Sequence, residues 1–377
     1  MNPPDSCAGL RIALTGGGTG GHVFPALAVA ECLRDDPALA ALVYIGKRDG
    51  LESRLIPASG FAFEGLDFSG MPRRPGLGFA RWLASIPQAV ARAGAVLETL
   101  KPHVVFATGG YVSAPVLAAA LQRRIPYVIH EPDAHPGLVN RLMGRWADQA
   151  TAAFAQAQRS IPCARFHVTG NPLRGAIGAL DQRQGFDRLG LNWDPSRPTL
   201  LATGGSQGAR RLNLALAGAL HTLTGDMGLQ ILHQTGAKLH DETMAALAAT
   251  AQRDAGAYCA RPFFEEMAAA WACADLVLCR SGSLTLSELY RCGLPSILVP
   301  YPHAAADHQS KNAQASAQAG ASVVIADDAL DAERLIAEIR ALLGAPQRLQ
   351  SMAAASLSLG RPQATDAIVA LLKAYSR

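Results

Sequence analysis

The chain has 377 residues, 49% of them apolar and 17% charged, with a formal net charge of +4. That length exceeds one ordinary core and favours two domains. The composition excludes disorder, and the small charge excludes a nucleic-acid footprint while suiting an anionic ligand or membrane face.

No stretch reaches the ~20 uninterrupted apolar residues of a membrane span. The opening MNPPDSCAGL lacks the basic region of a secretory signal, so none is expected. Seven scattered cysteines without C-x-x-C spacing read as reduced thiols in a cytosolic protein.

The first predicted element is the apolar run Arg11 to Thr15, short enough for a buried strand. GGGTGGH, Gly16 to His22, follows as a glycine turn into a helix expected from Val23 to Leu33, with Pro25 in its first turn. Strand, glycine turn and helix open a Rossmann-like unit. Glycines bring bare N–H groups close to a ligand, and the helix N-terminus favours an anion. His22 ends the loop, where an imidazole moves protons near neutral pH. Such turns also occur in α/β proteins without phosphate ligands, and a histidine at a helix start also serves as a cap.

Val43 to Gly46 is the second strand. A dinucleotide fold would end it in an acid for the ribose. Here Gly46-Lys47-Arg48 follows and Asp49 comes late, which disfavours NAD and leaves an NADP-dependent oxidoreductase open. The Gly- and Pro-rich loop Phe68 to Leu83 mixes Met71, Leu77, Phe79 and Trp82 with Arg73, Arg74 and Arg81. Bulky apolar and basic groups together suit an anionic bilayer surface; the alternative is a packed loop with its aromatics in the core.

Val104 to Thr108 is another strand, and Gly109-Gly110-Tyr111 a second glycine turn entering a helix. In a parallel sheet it faces the same crevice as the first turn, and together the two suit a diphosphate. The strand Pro126 to Ile129 leads into His130-Glu131-Pro132-Asp133, polar groups open to a functional or a structural hydrogen-bonding role.

After Gly170-Asn171-Pro172-Leu173-Arg174 and a polar stretch from Asp181 to Pro198, the pattern restarts. Thr199 to Thr203 is a fresh first strand and Gly204 to Arg210 a fresh glycine turn. Thr108–Pro132 and Arg280–Pro302 repeat one plan: small-residue loop, helix, x-Pro turn, apolar strand. Two similar α/β domains facing one another across a cleft are expected. Asp275 to Cys279 is a strand, and its hydroxyl-rich loop Arg280 to Thr285 starts a helix that suits a phosphate. Glu288, about a turn in, is a carboxylate for a ribose diol, though an acid near a helix start is also favourable without a ligand. Asp307 to Asn312 starts another helix, and a last helix runs from about Gln363 to Tyr375. The chain has no D-x-D, no H-E-x-x-H and no Cys/His metal spacing, so neither metal nor cofactor is expected.

Assembled in order, GGTGGHVFPALAVA, GGYVSAP, GNPLR, TGGSQGARRLN, FFEEM, ADLVLCRSGSLTLSEL, GLPSILVPYP and DHQSKNA closely resemble the MurG family over nearly the whole chain. These are UDP-N-acetylglucosamine transferases that act on lipid I in peptidoglycan synthesis, with no requirement for a cofactor. The resemblance implies an α/β GT-B fold of two Rossmann-like domains: an acceptor domain over 1–173, a donor domain over 174–359, and a helix from about 360 to 377 packing back on the first. It implies that Ser206, Phe264, Ser283, Leu284, Thr285, Leu286, Ser287, Glu288 and Gln309 hold UDP-GlcNAc, that Arg174 contacts its diphosphate, and that Thr19, Gly20 and Gly21 reach its sugar end. His22 would be the general base, with Glu131 and Tyr111 as further catalytic groups. Gly17, Gly18, Gly109 and Gly110 would hold the acceptor diphosphate. Leu77, Phe79, Trp82, Arg73 and Arg74 would touch the anionic inner membrane from its cytoplasmic face, as a peripheral protein. In place of the family's His-Glu-Gln-Asn this chain has His130-Glu131-Pro132-Asp133. Asp133 thus replaces an amide that would bind GlcNAc, and a carboxylate accepts from sugar hydroxyls but cannot donate. Rival readings are a GT-B enzyme acting on diacylglycerol or a small aglycone, the NADP oxidoreductase, and a non-catalytic sugar-nucleotide-binding subunit.

Overall fold

A computed structural model describes residues 9–70, 72, 76–249, 256–304 and 307–376. It divides into two compact units, Met1–Gly175 with Pro362–Arg377, and Ala176–Arg361. Each is an α/β layer structure around a parallel sheet, and the fold is GT-B.

The first unit runs β1 (Leu10–Thr15), α1 (Gly20–Leu33), β2 (Leu39–Lys47), α2 (Glu52–Ala58), β3 (Ala62–Leu66), α3 (Leu77–Leu100), β4 (Val104–Ala107), α4 (Ser113–Gln122), β5 (Tyr127–Glu131), α5 (Leu138–Met143), β6 (Gln149–Ala152) and β7 (Phe166–Val168). The sheet order is β3-β2-β1-β4-β5-β6-β7, with Ile12 beside Val104 and Thr15 beside Ala107. The chain builds outward from β1 to β3, then returns to the other side of β1. The switch point therefore lies between β1 and β4, where the carboxyl ends of a parallel sheet open a crevice. Helices cover both faces, so β4, Val-Val-Phe-Ala, is buried at every residue.

The second unit repeats the scheme: α6 (Gln182–Leu189), β8 (Thr199–Thr203), α7 (Arg210–His221), β9 (Gln230–Gln234), α8 (His240–Ala249), β10 (Tyr258–Arg261), α9 (Met267–Cys273), β11 (Leu276–Cys279), α10 (Ser283–Cys292), β12 (Ser296–Leu298), α11 (His308–Gln318), β13 (Ser322–Val324), α12 (Ala332–Leu343) and α13 (Pro346–Leu359). Its order, β10-β9-β8-β11-β12-β13, puts the switch point between β8 and β11. The last helix, α14 (Ala364–Lys373), belongs to the first unit. Its Ile368, Val369 and Leu372 are buried in one cluster with Val23, Leu27 and Leu33 of α1.

Two local expectations change. Helix α1 begins at Gly20, not near Val23, so Pro25 lies inside it. Proline's missing N–H leaves the Gly21 carbonyl without its helical donor, a cost confined to the first turn. Near the start of α3, the Trp82 indole N–H donates back to the Ser69 carbonyl at 3.0 Å, and its ring lies 6.1 Å from Phe68 and 5.7 Å from Phe79. Trp82 therefore packs on the unit's own core. Arg73 and Arg74 lie outside the described residues.

Candidate active site

In the first unit the two glycine turns meet at the switch point. A Cβ placed on Gly110, whose φ is +82°, would lie 2.2 Å from the Gly17 carbonyl oxygen. Only glycine permits that approach at that φ. From below, the Tyr44 hydroxyl donates to the Gly16 carbonyl at 2.9 Å. Thr108 Oγ1 lies 2.5 Å from the His22 carbonyl, so β4 pins the start of α1. Gly17 and Gly109 are buried spacers, while Gly18 and Thr19 are exposed and Gly20, Gly21 and Gly110 half-buried. The surface offered to an anion is thus narrower than the four glycines Gly17, Gly18, Gly109 and Gly110.

His22 is half-buried beside this pair of turns. Its Nδ1 lies 3.2 Å from Thr19 Oγ1, and a Cβ on Gly109 would sit 3.1 Å from its ring. Burial lowers its pKa below 6.5, partly opposed by the Asp133 carboxylate and the Gly17 backbone. The ring is therefore neutral at neutral pH, the form that accepts a proton. Tyr111 lies against Gly18 and Gly70; burial raises its phenol above 10, so it stays a donor.

Glu131 has a different character from His22. It is 2% exposed, and both oxygens accept: Oε1 from Asp133 N at 3.0 Å, Oε2 from Gly137 N at 3.1 Å and from Asn140 Nδ2 at 2.9 Å. Burial raises its pKa to about 7 against those donors. With its lone pairs turned inward, Glu131 holds the loop that carries Asp133 rather than facing a substrate proton. His130 is likewise enclosed between Thr151 and Asn171, both 3.0 Å away, and burial lowers it to about 4. The sequence carries no sign of this closure, because it depends on hydrogen-bond partners up to forty-one residues away.

Arg174, expected on a diphosphate, forms a forked ion pair with Glu31 of α1: Nε at 3.1 and 3.0 Å from the two oxygens and Nη2 at 2.8 Å. Its charge is compensated within the first unit. Arg48, the anchor of the NADP reading, is bonded to Asp67 at 2.6 Å and to the Gly65 carbonyl at 3.1 Å.

In the second unit the turn after β8 carries Ser206, half-buried, with Gly205 and Gly208 at φ of +81° and +78°. Helix α10 starts at the same end of the sheet. Its Ser283, Leu286 and Leu289 are buried, while Leu284, Thr285, Ser287 and Glu288 are half-buried. The three-residue spacing sends Ser283 and Leu286 inward, while Leu284, Thr285, Ser287 and Glu288 keep part of their surface exposed. Gln309 sits at the start of α11, its Oε1 accepting from Tyr301 N at 3.0 Å and its carbonyl from Ser281 Oγ at 2.8 Å. The starts of α10 and α11 are thereby joined. Phe264 is wholly buried, with the Arg261 guanidinium 5.4 Å from its ring centre. Its neighbour Phe263, absent from the sequence-derived set, is half-buried and has ring surface left to offer. Two adjacent phenylalanines cannot be told apart from sequence; only burial separates them. Among the described residues no cluster of His, Cys, Asp and Glu is arranged to hold a metal ion.

Residues 12–152 match the glycosyltransferase family 28 N-terminal domain, and 199–368 the family 28 C-terminal domain. The chain is 41% identical over 361 residues to the UDP-N-acetylglucosamine–N-acetylmuramyl-(pentapeptide) pyrophosphoryl-undecaprenol N-acetylglucosamine transferase of Syntrophotalea carbinolica, covering 96% of this chain and 97% of the relative. It is 42% identical to the protein of the same name from Frankia casuarinae, over 96% and 95%. Among solved structures, MurG of Acinetobacter baumannii is 30% identical with a TM-score of 0.72, over 97% and 99% of the two chains. A UDP co-structure of S. aureus MnaA, 14% identical at a TM-score of 0.69, shares the fold. With both halves of family 28 in order and MurG-type relatives covering almost its full length, this chain belongs to the MurG family of glycosyltransferases.

Proposed function

We propose that this chain transfers N-acetylglucosamine from UDP-GlcNAc to the muramyl 4-hydroxyl of lipid I, giving lipid II with inversion at the anomeric carbon. The observation that carries the chemistry is His22, neutral and held beside two interlocked glycine turns. With Nδ1–H donated to Thr19, Nε2 keeps a lone pair for the 4-hydroxyl proton. The oxygen attacks C1, the C1–O bond to the β-phosphate breaks, and UDP leaves with the electron pair. Donors at the starts of α7 and α10, with Ser206, stabilise that charge. Phe263 is the base platform and Glu288 the ribose acceptor. Tyr111 donates, Glu131 organises the loop of Asp133, Gly18 and Gly110 face the acceptor diphosphate, and Thr19 faces the sugar end of the donor. Arg174 reaches the donor diphosphate only by exchanging Glu31 for it.

The same reading places the chain on the cytoplasmic face of the membrane, as a peripheral protein. Among the described residues no helix is long and apolar enough to cross a membrane. Leu77 is 80% exposed and Leu83 47%, while Phe79 and Trp82 are half-buried. Leu138, Leu142 and Trp146, in and after α5, are also about half exposed, alongside exposed Arg141 and Arg145. This mixture suits anionic headgroups. The test of function is transfer of labelled GlcNAc from UDP-GlcNAc to a soluble lipid I analogue by the pure chain. A β-1,4-linked disaccharide product is expected, and no transfer, or transfer only to diacylglycerol, overturns the assignment.

A further inference from the structure

Gln234 ends β9, the strand next to β8, and is 3% exposed. A buried amide is costly unless both ends are paired, and here both are. Its Oε1 accepts from Phe264 N at 2.9 Å. Its Nε2 donates to Thr203 Oγ1 at 3.1 Å, and that same oxygen accepts from Gly205 N at 3.0 Å. Three hydrogen bonds therefore run from the glycine turn before Ser206, through the end of β9, to the segment that carries Phe263. Backbone contacts remove the remaining slack. A Cβ on Gly236 would lie 2.2 Å from Gly208 N, and Gly236 N donates to the Pro262 carbonyl at 3.0 Å.

We propose that Gln234 is the positioning residue of the donor site. It sets the spacing between the loop that meets the diphosphate and the platform that meets the base. UDP then finds both subsites already in register, and binding does not have to supply the ordering. The inference rests on the reading of this unit as the UDP-GlcNAc site. Gln234 touches no ligand itself. A purely structural core amide would affect stability alone, whereas a positioning amide affects donor affinity while the fold persists.

The test measures UDP and uridine binding by calorimetry, donor and acceptor KM, and melting temperature, in the full chain. Gln234→Leu keeps the volume and removes both bonds. It is expected to weaken UDP by about tenfold or more and to raise donor KM, with acceptor KM unchanged. Gln234→Glu is the conservative rescue: its carboxylate accepts from Phe264 N, and the Thr203 hydroxyl can donate to it while still accepting from Gly205 N. It is expected to recover most of the UDP affinity. Thr203→Val is the second variant, for the case that Gln234→Leu does not fold. It spares the Phe264 bond and is expected to weaken UDP but not uridine. Unchanged UDP affinity in a folded Gln234→Leu, or in Thr203→Val if that is the folded one, overturns the proposal. Phe263→Ala and Ser206→Ala separate the two levels. If neither weakens UDP, the donor-site reading itself fails; if both do and the Gln234 and Thr203 variants do not, only the positioning role fails.

Discussion

Gly110→Ala is the sharpest perturbation of the first unit. The residue sits at φ +82°, and its new Cβ would lie 2.2 Å from the Gly17 carbonyl oxygen and 3.2 Å from Gly17 N and C. An ordinary carbon–oxygen contact is about 3.3 Å, so the two turns must part by roughly 1 Å. A side chain in the left-handed region costs about 1–2 kcal/mol, and overpacking a close contact adds about 1–3. A total of roughly 2–5 kcal/mol lowers the melting temperature by roughly 5–20 °C in a unit of this size. The separated turns no longer present Gly18 and Gly110 together, so kcat/KM for the acceptor is expected to fall by about 100-fold or more, since a 1 Å misplacement costs that much. UDP affinity should hold, because neither Gly17 nor Gly110 is among the residues assigned to UDP. Gly60→Ala is the control: it has φ +81° with nothing within 4 Å of a Cβ, so it carries the backbone strain without the clash. Acceptor kinetics at saturating donor, UDP calorimetry and a thermal melt read all three effects. If Gly110→Ala behaves like Gly60→Ala in both melting and acceptor kinetics, the interlocked turns do not matter and the reasoning is wrong.

Three further outcomes follow from the structure. His22→Ala should lower kcat by ~10²–10⁴-fold with UDP affinity unchanged. In the unmutated chain kcat/KM should rise with pH through a group titrating below 6.5, and Asp133→Asn should move that limb lower still, because the carboxylate raises the His22 pKa; a limb that stays put detaches Asp133 from His22. Replacing Leu77, Leu83 and Leu142 with serine should reduce binding to anionic vesicles while sparing turnover of a short-chain acceptor. Undiminished vesicle binding in a cosedimentation assay would remove these side chains from the membrane contact.

Much of the fold was legible because its signals are local. An apolar run followed by glycines and a helix marks the carboxyl end of a strand, and the same pattern restarts at Thr199. The strand Gln149–Ala152 carries no such mark: its residues are small or polar, and its burial comes from neighbours alone. The candidate site residues divide in the same way. His22 and the glycines announce themselves by type. The inward turn of Glu131, the pairing of Arg174 with Glu31 and the burial of Phe264 beside a half-buried Phe263 depend on side-chain packing, which no spacing encodes. Pro25 misled because proline usually stands in a first turn, whereas here two glycines begin the helix ahead of it.

The chain visits its first unit twice, and this bears on the order in which a ribosome releases it. Residues 176–361 emerge before α14 does. Until then the α1 face that receives Ile368, Val369 and Leu372 stays open to solvent. Each such side chain contributes about 1.5–3 kcal/mol on burial, so the nascent unit lacks on the order of 5 kcal/mol of stabilisation. Thr365 then closes the seam, its hydroxyl bonded to both the N–H and the carbonyl of Leu173 at 3.0 Å. The later-made unit can complete its fold during synthesis, while the earlier-made one waits for the last helix of the chain.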